Sequence, residues 1–301
     1  MIKNELPLVS VAIITYNQKD FLKECIDSIL IQDYSNIEIV IADDCSIDGT
    51  QEMLSEYVLK YPNKFILKLS NINQGITKNS NLAHFACTGK YIAWMGGDDL
   101  MFQGKIRKQV NYMEKNPECR ICYHNLDVFQ SETNKTLYYF NEKNKISGNI
   151  KEILKYGTFN GACSNIVRRE NTPLKGFDER VPTASDWLYW IETLLDGGKI
   201  HYIDEVLGRY RRHANNITNT SIDNTFKNQI DHLNTCNITL INAPHYHKEI
   251  LFRYSEIIRN MRLKQKKNYF NFLFISLKVG FNIKSFIFLL VSIATLGRIK
   301  I

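Results

Sequence analysis

Apolar and polar residues alternate in short blocks through the first hundred positions of the chain. Four apolar runs have the length of buried strands, and they cover residues 8–15, 37–42, 65–69 and 91–95. Between the runs, apolar residues recur every three or four positions, as in Phe21, Leu22, Cys25, Ile26, Ile29 and Leu30. Strands and helices that alternate with short connections predict an α/β fold, with a mostly parallel, Rossmann-like sheet flanked by helices.

The pattern is less regular after residue 105. The predicted elements are a helix over 106–113, a strand over 120–129, an exposed hairpin or loop over 131–149, a helix or turn over 150–156, an amphipathic helix beginning at Asp186 and a strand within 199–210. In the first half, Asp48 with Gln51 three residues later predicts the N-cap of the helix that carries Met53 and Leu54.

Two pairs of aspartates stand where predicted strands end. Asp43 and Asp44 close the second apolar run, and Asp98 and Asp99 follow the fourth, while Asn17 follows the first. In open α/β sheets, ligands bind beyond the carboxyl ends of the strands, so these residues should open onto one face. Paired carboxylates suit a hard cation and the phosphates that it carries. The alternative is that each pair only caps the helix after it.

Composition narrows the class of protein. A chain of 301 residues with 44% hydrophobic content can bury the core of one large domain with an appendage. Seven scattered cysteines, and no signal-peptide pattern in the first residues, predict a reduced cytoplasmic protein. The formal net charge is +7, but no zinc-finger or RNA-recognition motif is present, so we expect no nucleic-acid partner.

The sequence predicts a main domain over 1–220 and a helical region over 221–301. Its two apolar runs, 270–281 and 286–296, are shorter than the ~20 residues that cross a bilayer. Cations flank or interrupt them: Lys264, Lys266, Lys267, Lys278, Lys284, Arg298 and Lys300. Short apolar helices with basic flanks predict a surface that lies in the membrane interface. The alternatives are helices packed on the main domain, or a dimer contact.

Six blocks in a fixed order resemble the motifs of family 2 glycosyltransferases. They include Val9 to Asn17, Ile39 to Thr50, Asn73-Gln74-Gly75 with Lys78-Asn79, Gly89 to Asp99, Ser185-Asp186-Trp187 and Tyr210-Arg211-Arg212-His213. The match spans residues 8 to 216. Each block alone is a weak indication of the family, but six blocks in this order are specific for it. The resemblance implies a GT-A fold, a nucleotide-sugar donor, a divalent metal ion (Mn²⁺ or Mg²⁺) and inversion at the anomeric carbon.

The resemblance also implies roles for single residues. The donor would be bound by Ile14, Thr15, Tyr16, Asn17, Asp44, Asn73, Gly75, Lys78, Gly97 and Asp98. Asp44 matches the aspartate that accepts the N3–H of uracil, and Asp43 should face the loop and the helix start instead. Asp98, Asp99 and His213 match the metal ligands. Asp186 matches the general base, with Glu179 or Asp178 next in line.

Two positions depart from the family pattern. Gly96 stands where many relatives have an acidic residue, so Asp98 and Asp99 would supply the metal contacts between them. Lys78 stands where an arginine is common, and it keeps the charge without the bidentate fork. His213 has an alternative role as a surface histidine after a strand.

The acceptor side is predicted near Cys163, Trp187 and Trp190. Trp187, beside the base, is the candidate sugar-stacking platform, whereas Trp190 fits the core; the alternative places both in the core.

The motif set looks most like bacterial O-antigen and surface-polysaccharide enzymes. That resemblance implies transfer of glucose or galactose from a UDP-hexose to N-acetylglucosamine on undecaprenyl diphosphate, in β1,3 linkage, at the inner face of the cell membrane. Two rival interpretations are a sugar-nucleotide uridylyltransferase, whose glycine-rich triphosphate loop is missing, and a catalytically silent membrane-bound scaffold, whose expected loss of acidic residues is not seen.

Overall fold

A mixed sheet is the centre of the molecule, and the computed structural model describes residues 5–214, 216, 222–262 and 268–295. Its strands are β1 (Val9–Thr15), β2 (Ile37–Asp43), β3 (Phe65–Leu69), β4 (Tyr91–Gly96), β5 (Leu100–Met101), β6 (Cys119–Gln130), β7 (Thr136–Tyr139), β8 (Ile166–Arg168) and β9 (Lys199–Arg212). The strand order is β3-β2-β1-β4-β8-β6-β9-β5, and β7 pairs with β6.

Helices cover both faces of the sheet and form the C-terminal region. They are α1 (Lys19–Leu30), α2 (Thr50–Lys60), α3 (Ile76–Ala86), α4 (Lys105–Lys115), α5 (Ile150–Tyr156), α6 (Ser185–Thr193), α7 (Ile222–Asn242), α8 (His247–Met261), α9 (Tyr269–Val279) and α10 (Ile283–Ala294). Short 3₁₀ turns occupy Ala162–Ser164, Arg169–Asn171 and Pro244–Tyr246.

The two halves of the sheet differ in strand direction. Strands β1 to β4 pair in parallel, as the alternation of strands and helices predicted. The second half is mixed, because β8 runs antiparallel to both β4 and β6 while β6 and β9 are parallel. The predicted hairpin after β6 is confirmed, since β7 pairs antiparallel with it.

The central strands β1, β2 and β4 are largely buried on both faces, whereas β3 at the edge is partly exposed. Along β1, Val9, Val11 and Ile13 belong to one apolar cluster, and Ala12 belongs to the cluster on the opposite face. Period-two side-chain alternation in a strand produces this division.

The start of α2 differs from the prediction. The N-cap is Gly49, with φ 86°, rather than Asp48. The Asp48 carboxylate still accepts a hydrogen bond from Thr50 N at 3.1 Å, but Gln51 donates to Asp43 at 2.8 Å and completes no capping box. The Gln51 side chain bonds to the buried Asp43 carboxylate at the end of β2, so it does not bond to the backbone at the helix start.

The C-terminal helices divide into two groups. Cys236 of α7 and Ile250 and Ile257 of α8 belong to the same buried cluster as the sheet residues Ile92 and Ile121. Helices α9 and α10 instead form a small cluster of their own, made of Tyr269, Leu273 and Leu289. The predicted boundary at 220/221 lies outside the described residues. Within the described residues, no helix combines the length and hydrophobicity needed to span a membrane.

Candidate active site

Three strand ends meet at one edge of the sheet. The neighbours β2, β1 and β4 are in register so that Thr15 pairs with Asp43 and Ile14 with Gly96. Beyond the strands, Asp44 N donates to Thr15 O at 3.1 Å and Gly97 N donates to Ile14 O at 3.0 Å. The segments that carry Asn17, Asp44 and Asp98 therefore leave the sheet side by side, as the sequence pattern predicted.

The loop after β1 is held by the loop after β2. Asn17 is in the left-handed region, with φ 51°, and its Oδ1 accepts a hydrogen bond from Ile47 N at 2.9 Å. Asn17 N donates to Ser46 Oγ at 2.7 Å. The preceding Tyr16 is 46% exposed, so its ring is open to a ligand at this edge.

Asp43 and Asp44 point in different directions. Asp43 accepts hydrogen bonds from Ser46 N, Ser46 Oγ and the Gln51 amide, so it faces the loop and the start of α2. Asp44 accepts Gln74 N and Gly75 N, each at 2.8 Å. Gly75 has φ 86°, a conformation that favours glycine. Asp44 therefore holds the segment of Asn73 and Gly75 against the end of β2.

Asn79 joins the ends of β1 and β2 through hydrogen bonds, although the sequence pattern gave it no role in the site. Its side-chain amide donates to Ala42 O at 3.0 Å and to Thr15 O at 3.4 Å. Its position one residue after Lys78 in a matching block was the only signal. Lys78 itself is half-exposed and lies 3.8 Å from the Glu179 carboxylate.

Asp98 lies against two residues that follow β9. Its Oδ2 is 3.0 Å from His213 Nε2 and accepts a hydrogen bond from the Asn216 amide at 3.0 Å. Asn216 Oδ1 accepts His213 N at 2.6 Å, which orders the turn, and the His213 ring packs on Phe21. The structure thus brings together two of the three predicted metal ligands. Asn216 had no sequence signal.

The Asp98–His213 pair fits a divalent cation. Adjacent ligands of an octahedral ion at ~2.1 Å stand ~3 Å apart, which matches the separation of the carboxylate oxygen and the imidazole nitrogen. A neutral imidazole with its proton on Nδ1 presents a lone pair at Nε2. The described residues contain no group of three or more His, Cys, Asp or Glu that could hold a metal. Phosphates and water would complete the shell, as is usual for Mg²⁺.

Asp99 lies in different surroundings from its neighbour Asp98. Its side chain is buried, and Oδ1 accepts Arg211 N at 3.0 Å. Burial and the adjacent Asp98 charge raise the pKa of Asp99. Because its side chain is buried and bonded to the Arg211 backbone, Asp99 supports the loop, and the more exposed Asp98 is better placed to bind a metal ion.

Gly96 explains the missing acidic residue of the family pattern. A Cβ at this position would lie 2.7 Å from Asp98 Oδ1 and 3.1 Å from Asp99 Oδ2. Both carboxylates turn toward the space above Gly96, so a side chain there would displace them.

Arg211 and Lys105 lie beneath the acidic pair, and neither was predicted as a site residue. Arg211 is buried, and its guanidinium donates to Asp98 O at 2.7 Å and to Glu24 at 2.5 Å. Lys105 is fully buried, and its Nζ has no hydrogen-bond partner among the described residues. Burial lowers the pKa of Lys105 to about 8, while the Asp99 charge acts in the opposite direction. These cations offset the negative charge of the loop.

Asp186 lies at the start of α6. Its Oδ1 accepts Trp187 N at 2.8 Å, and burial raises the pKa of Asp186 above the usual value of an aspartate. A partly exposed carboxylate with a raised pKa can accept a proton from a hydroxyl group.

Two contacts position the segment before Asp186. The Asp231 carboxylate of α7 accepts Thr183 N at 2.8 Å and Ala184 N at 3.0 Å. On the other side, the Thr77 hydroxyl lies 3.0 Å from the Ser185 hydroxyl. Because Thr77 follows Gly75, which Asp44 binds, a continuous chain of contacts joins the β2 end to α6.

The predicted acceptor residues are corrected by the structure. Trp187 is 1% exposed, and its indole donates to Ile153 O at 3.1 Å, so it cannot stack on a sugar. Trp190 is buried too, as expected. Cys163 is buried beside Asp99 and is likewise out of reach of an acceptor.

The alternative bases are less well placed than Asp186. The Asp178 carboxylate accepts hydrogen bonds from Arg180 and Lys175, which hold the pKa of Asp178 far below its usual range. Glu179 faces Lys78.

Relatives in sequence extend over most of the chain. An uncharacterized protein of Mycobacterium tuberculosis, Rv1520, is 28% identical over 211 residues, which cover 69% of this chain and 60% of the relative. The chain therefore spans less than two thirds of that relative. The Escherichia coli UDP-Glc:alpha-D-GlcNAc-diphosphoundecaprenol beta-1,3-glucosyltransferase WfaP is 30% identical over 248 residues, which cover 80% of this chain and 90% of WfaP.

Solved structures share the fold. S. aureus TarS 1-349 in complex with UDP-GlcNAc superimposes with a TM-score of 0.68 and 16% identity, over 90% of this chain and 81% of TarS. The mannosyltransferase PcManGT from Pyrobaculum calidifontis, in complex with GDP-Man and Mn²⁺, superimposes with a TM-score of 0.64 and 16% identity. The match covers 99% of this chain and 82% of PcManGT. Both confirm the GT-A fold that the sequence blocks implied.

The profile described as "Glycosyl transferase family 2" matches residues 10–172, more than half of the chain. That segment includes the three strand ends and both acidic pairs. With the WfaP similarity, the profile match shows that the chain belongs to glycosyltransferase family 2.

Proposed function

We propose that this protein is an inverting, metal-dependent hexosyltransferase that moves glucose or galactose from a UDP-sugar to a lipid-linked sugar. The observation that carries the proposal is the similarity to WfaP, which extends over nearly all of that glucosyltransferase. The name of WfaP supports N-acetylglucosamine on undecaprenyl diphosphate as the acceptor and a β1,3 linkage.

The donor would lie across the ends of β1, β2 and β4. Ile14, Thr15, Tyr16 and Asn17 would receive the uracil, with Asp44 accepting its N3–H. Asp44 already accepts two backbone N–H groups, but each carboxylate oxygen has a further lone pair for the base. Asn73, Gly75, Lys78 and Gly97 surround the same edge and would contact the ribose, the phosphates or the sugar.

Asp98 and His213 would hold the cation, with Asp99 as support. When bound, Mn²⁺ or Mg²⁺ neutralises charge on the departing diphosphate. The occupied TarS and PcManGT complexes show nucleotide sugars on this fold, and PcManGT also holds Mn²⁺. The protein holds the Asp98 carboxylate 3.0 Å from the His213 ring. Hydrogen bonds from Asn216 to the Asp98 carboxylate and from Arg211 to the Asp98 backbone fix this arrangement.

Asp186 would act as the general base. Its ionised carboxylate takes the proton from the acceptor hydroxyl as the oxygen attacks C1 of the donor sugar, and the UDP leaves from the opposite side. Attack from that side inverts the anomeric carbon. Because the acceptor is anchored in a membrane, we place the enzyme in the cytoplasm, peripheral on the inner face of the cell membrane.

Product formation from defined substrates tests the proposal. Purified protein with Mn²⁺ is incubated with a short-chain GlcNAc-diphospho-lipid and, separately, UDP-glucose, UDP-galactose or their N-acetyl forms. We expect acceptor-dependent UDP release with UDP-glucose or UDP-galactose, and a β1,3 product by NMR. UDP release that needs no acceptor, or an α-linked product, would contradict the proposal.

A further inference from the structure

Helices α9 and α10 have an inverted distribution of polarity. Each helix buries residues at positions i, i+4 and i+7, and three of the six are serines: Tyr269, Leu273 and Ser276 in α9, and Ser285, Leu289 and Ser292 in α10. In a helix that faces water, serines occupy the exposed side and large apolar residues the buried side. Here the hairpin places small polar residues inside.

The buried serine hydroxyls and the Asn282 side-chain oxygen have polar partners within this region. The hydroxyl of Ser276 lies 2.9 Å from that of Ser255 in α8 and 2.7 Å from that of Ser285. In the turn between the helices, Asn282 accepts a hydrogen bond from Arg259 at 2.8 Å. Gly280 allows this close approach, since a Cβ there would lie 2.8 Å from Leu251 O. The hairpin is therefore attached to α8 largely through hydrogen bonds and small residues, as helices are in membranes.

The outward side of the hairpin is apolar. We call it the outer face; its exposed large residues are Phe270, Phe274, Ile275, Phe281, Ile283, Phe286, Ile287, Leu290 and Ile293. Phe281, in the turn, is 70% exposed. Exposed large apolar side chains concentrated on two paired helices mark a site of contact with another apolar phase.

The charge around the outer face selects its partner. No aspartate or glutamate follows Glu256 in the sequence, whereas Lys278 and Lys284 are exposed on the hairpin itself. The further cations Lys264, Lys266, Lys267, Arg298 and Lys300 lie outside the described residues. Two copies of this face would bring like charges together, whereas an anionic lipid surface would attract them.

Helix length limits how deeply the hairpin can enter. With 11 and 12 residues, α9 and α10 are about 17 and 18 Å long, about half of the ~30 Å hydrocarbon core. Such helices suit the interface of one leaflet and not a complete span.

We propose that the α9–α10 hairpin inserts its outer face into one leaflet of an anionic phospholipid bilayer, with its serine-lined side held on α8. The proposal deepens the proposed function and rests on it for the biological membrane, but the insertion can be measured without any transfer reaction.

Vesicle flotation of the full-length protein tests the insertion. Wild type should float with vesicles that contain phosphatidylglycerol, and much less with phosphatidylcholine alone. The double variant Phe274→Asp/Ile287→Asp removes two apolar side chains from the lipid, so its partition should fall by roughly a hundredfold or more. Lys278→Gln and Lys284→Gln should each weaken binding to anionic vesicles about fivefold. Leu59→Asp, at a residue of α2 that is 83% exposed, is the matched control and should bind as wild type.

The outcomes separate this proposal from the transferase proposal. Wild type that does not float, a double variant that floats equally well, or a double variant that only converts a dimer to a monomer in gel filtration would overturn the insertion. Transfer to a short-chain, water-soluble acceptor is measured on the same samples. If that transfer persists without vesicle binding, only the hairpin proposal fails; if vesicle binding persists without any transfer, only the proposed function fails.

Discussion

Asp186 combines two properties that oppose each other energetically. Burial raises the pKa of its carboxyl group, so the ionised form that accepts a proton is also the form that the folded protein tolerates less well. Since the folded-state pKa lies above the unfolded value, the native state binds more protons between these two values. Stability therefore falls as the pH rises through that window, and the cost remains at neutral pH.

The first prediction follows from this opposition. Asp186→Asn should lower transfer by ~10²–10⁴-fold, the usual weight of a general base. The same variant should unfold at a higher temperature than wild type at pH 7, because the poorly solvated charge of Asp186 is gone. Calorimetric titration with UDP checks that nucleotide binding survives. Near-normal transfer would assign the base to another residue, and unchanged or lower thermal stability would contradict the charge argument.

Asp98 is the residue on which the metal proposal depends. Asp98→Asn should weaken Mn²⁺ binding in the presence of UDP by at least about 100-fold, measured by electron paramagnetic resonance, and transfer should fall in parallel. His213→Ala should give a smaller loss of the same kind. Wild-type protein should lose activity in a chelator and regain it with Mn²⁺ or Mg²⁺. Full activity in chelator would remove the metal from the proposal.

Single residues were predictable from the sequence only where the chain is locally regular. The positions of Asp44 and Asp98 beyond strand ends could be predicted because each follows an apolar strand. The His213–Asp98 contact joins segments more than a hundred residues apart, so a matching block could suggest it but no local pattern could place it. Trp187 was mispredicted as a sugar platform because the sequence does not show that α7 covers α6, as the Trp187–His232 ring contact shows.

At the scale of elements, the first half of the fold was easier to predict than the second. The strands before residue 100 are short, apolar and separated by amphipathic helices, and β3 matches its predicted range to the residue. Strand β8 has three residues and pairs antiparallel with both neighbours, which gives no periodic signal. Pairing set by distant partners, rather than by local sequence, explains the difference.

Helix α7 acts on the site through Asp231, and this contact gives a prediction at the scale of elements. Asp231→Ala removes the acceptor of the partly buried N–H groups of Thr183 and Ala184, at a cost of ~1–3 kcal/mol in stability, and loosens the start of α6. We expect a fall in kcat with little change in UDP affinity. Asp204→Ala, at an exposed ion pair with Lys145, is the control. Equal losses of kcat and UDP affinity would indicate general unfolding instead of a displaced base.

At the scale of the whole molecule, the main domain and the α9–α10 hairpin have separate apolar clusters. Helix α8 packs on both, because Ile250 and Ile257 join the main cluster while Ser255 contacts Ser276 of α9. The hairpin can therefore be lost without opening the core around the sheet.

The last prediction concerns how this enzyme finds its acceptor. A surface-bound enzyme meets a membrane-anchored acceptor by two-dimensional search, whereas a water-soluble acceptor reaches either form of the enzyme equally. Removing residues 268–301 should therefore leave the main domain folded, as judged by circular dichroism, with near-normal transfer to a short-chain acceptor. Transfer to a long-chain acceptor in anionic vesicles should fall by about tenfold or more, since the apolar contacts and cations that concentrate the enzyme at the surface are gone. Equal activity of the truncated and full-length proteins on both acceptors would show that the hairpin has no part in acceptor encounter. Loss of the fold on truncation would show that α8 needs it for packing.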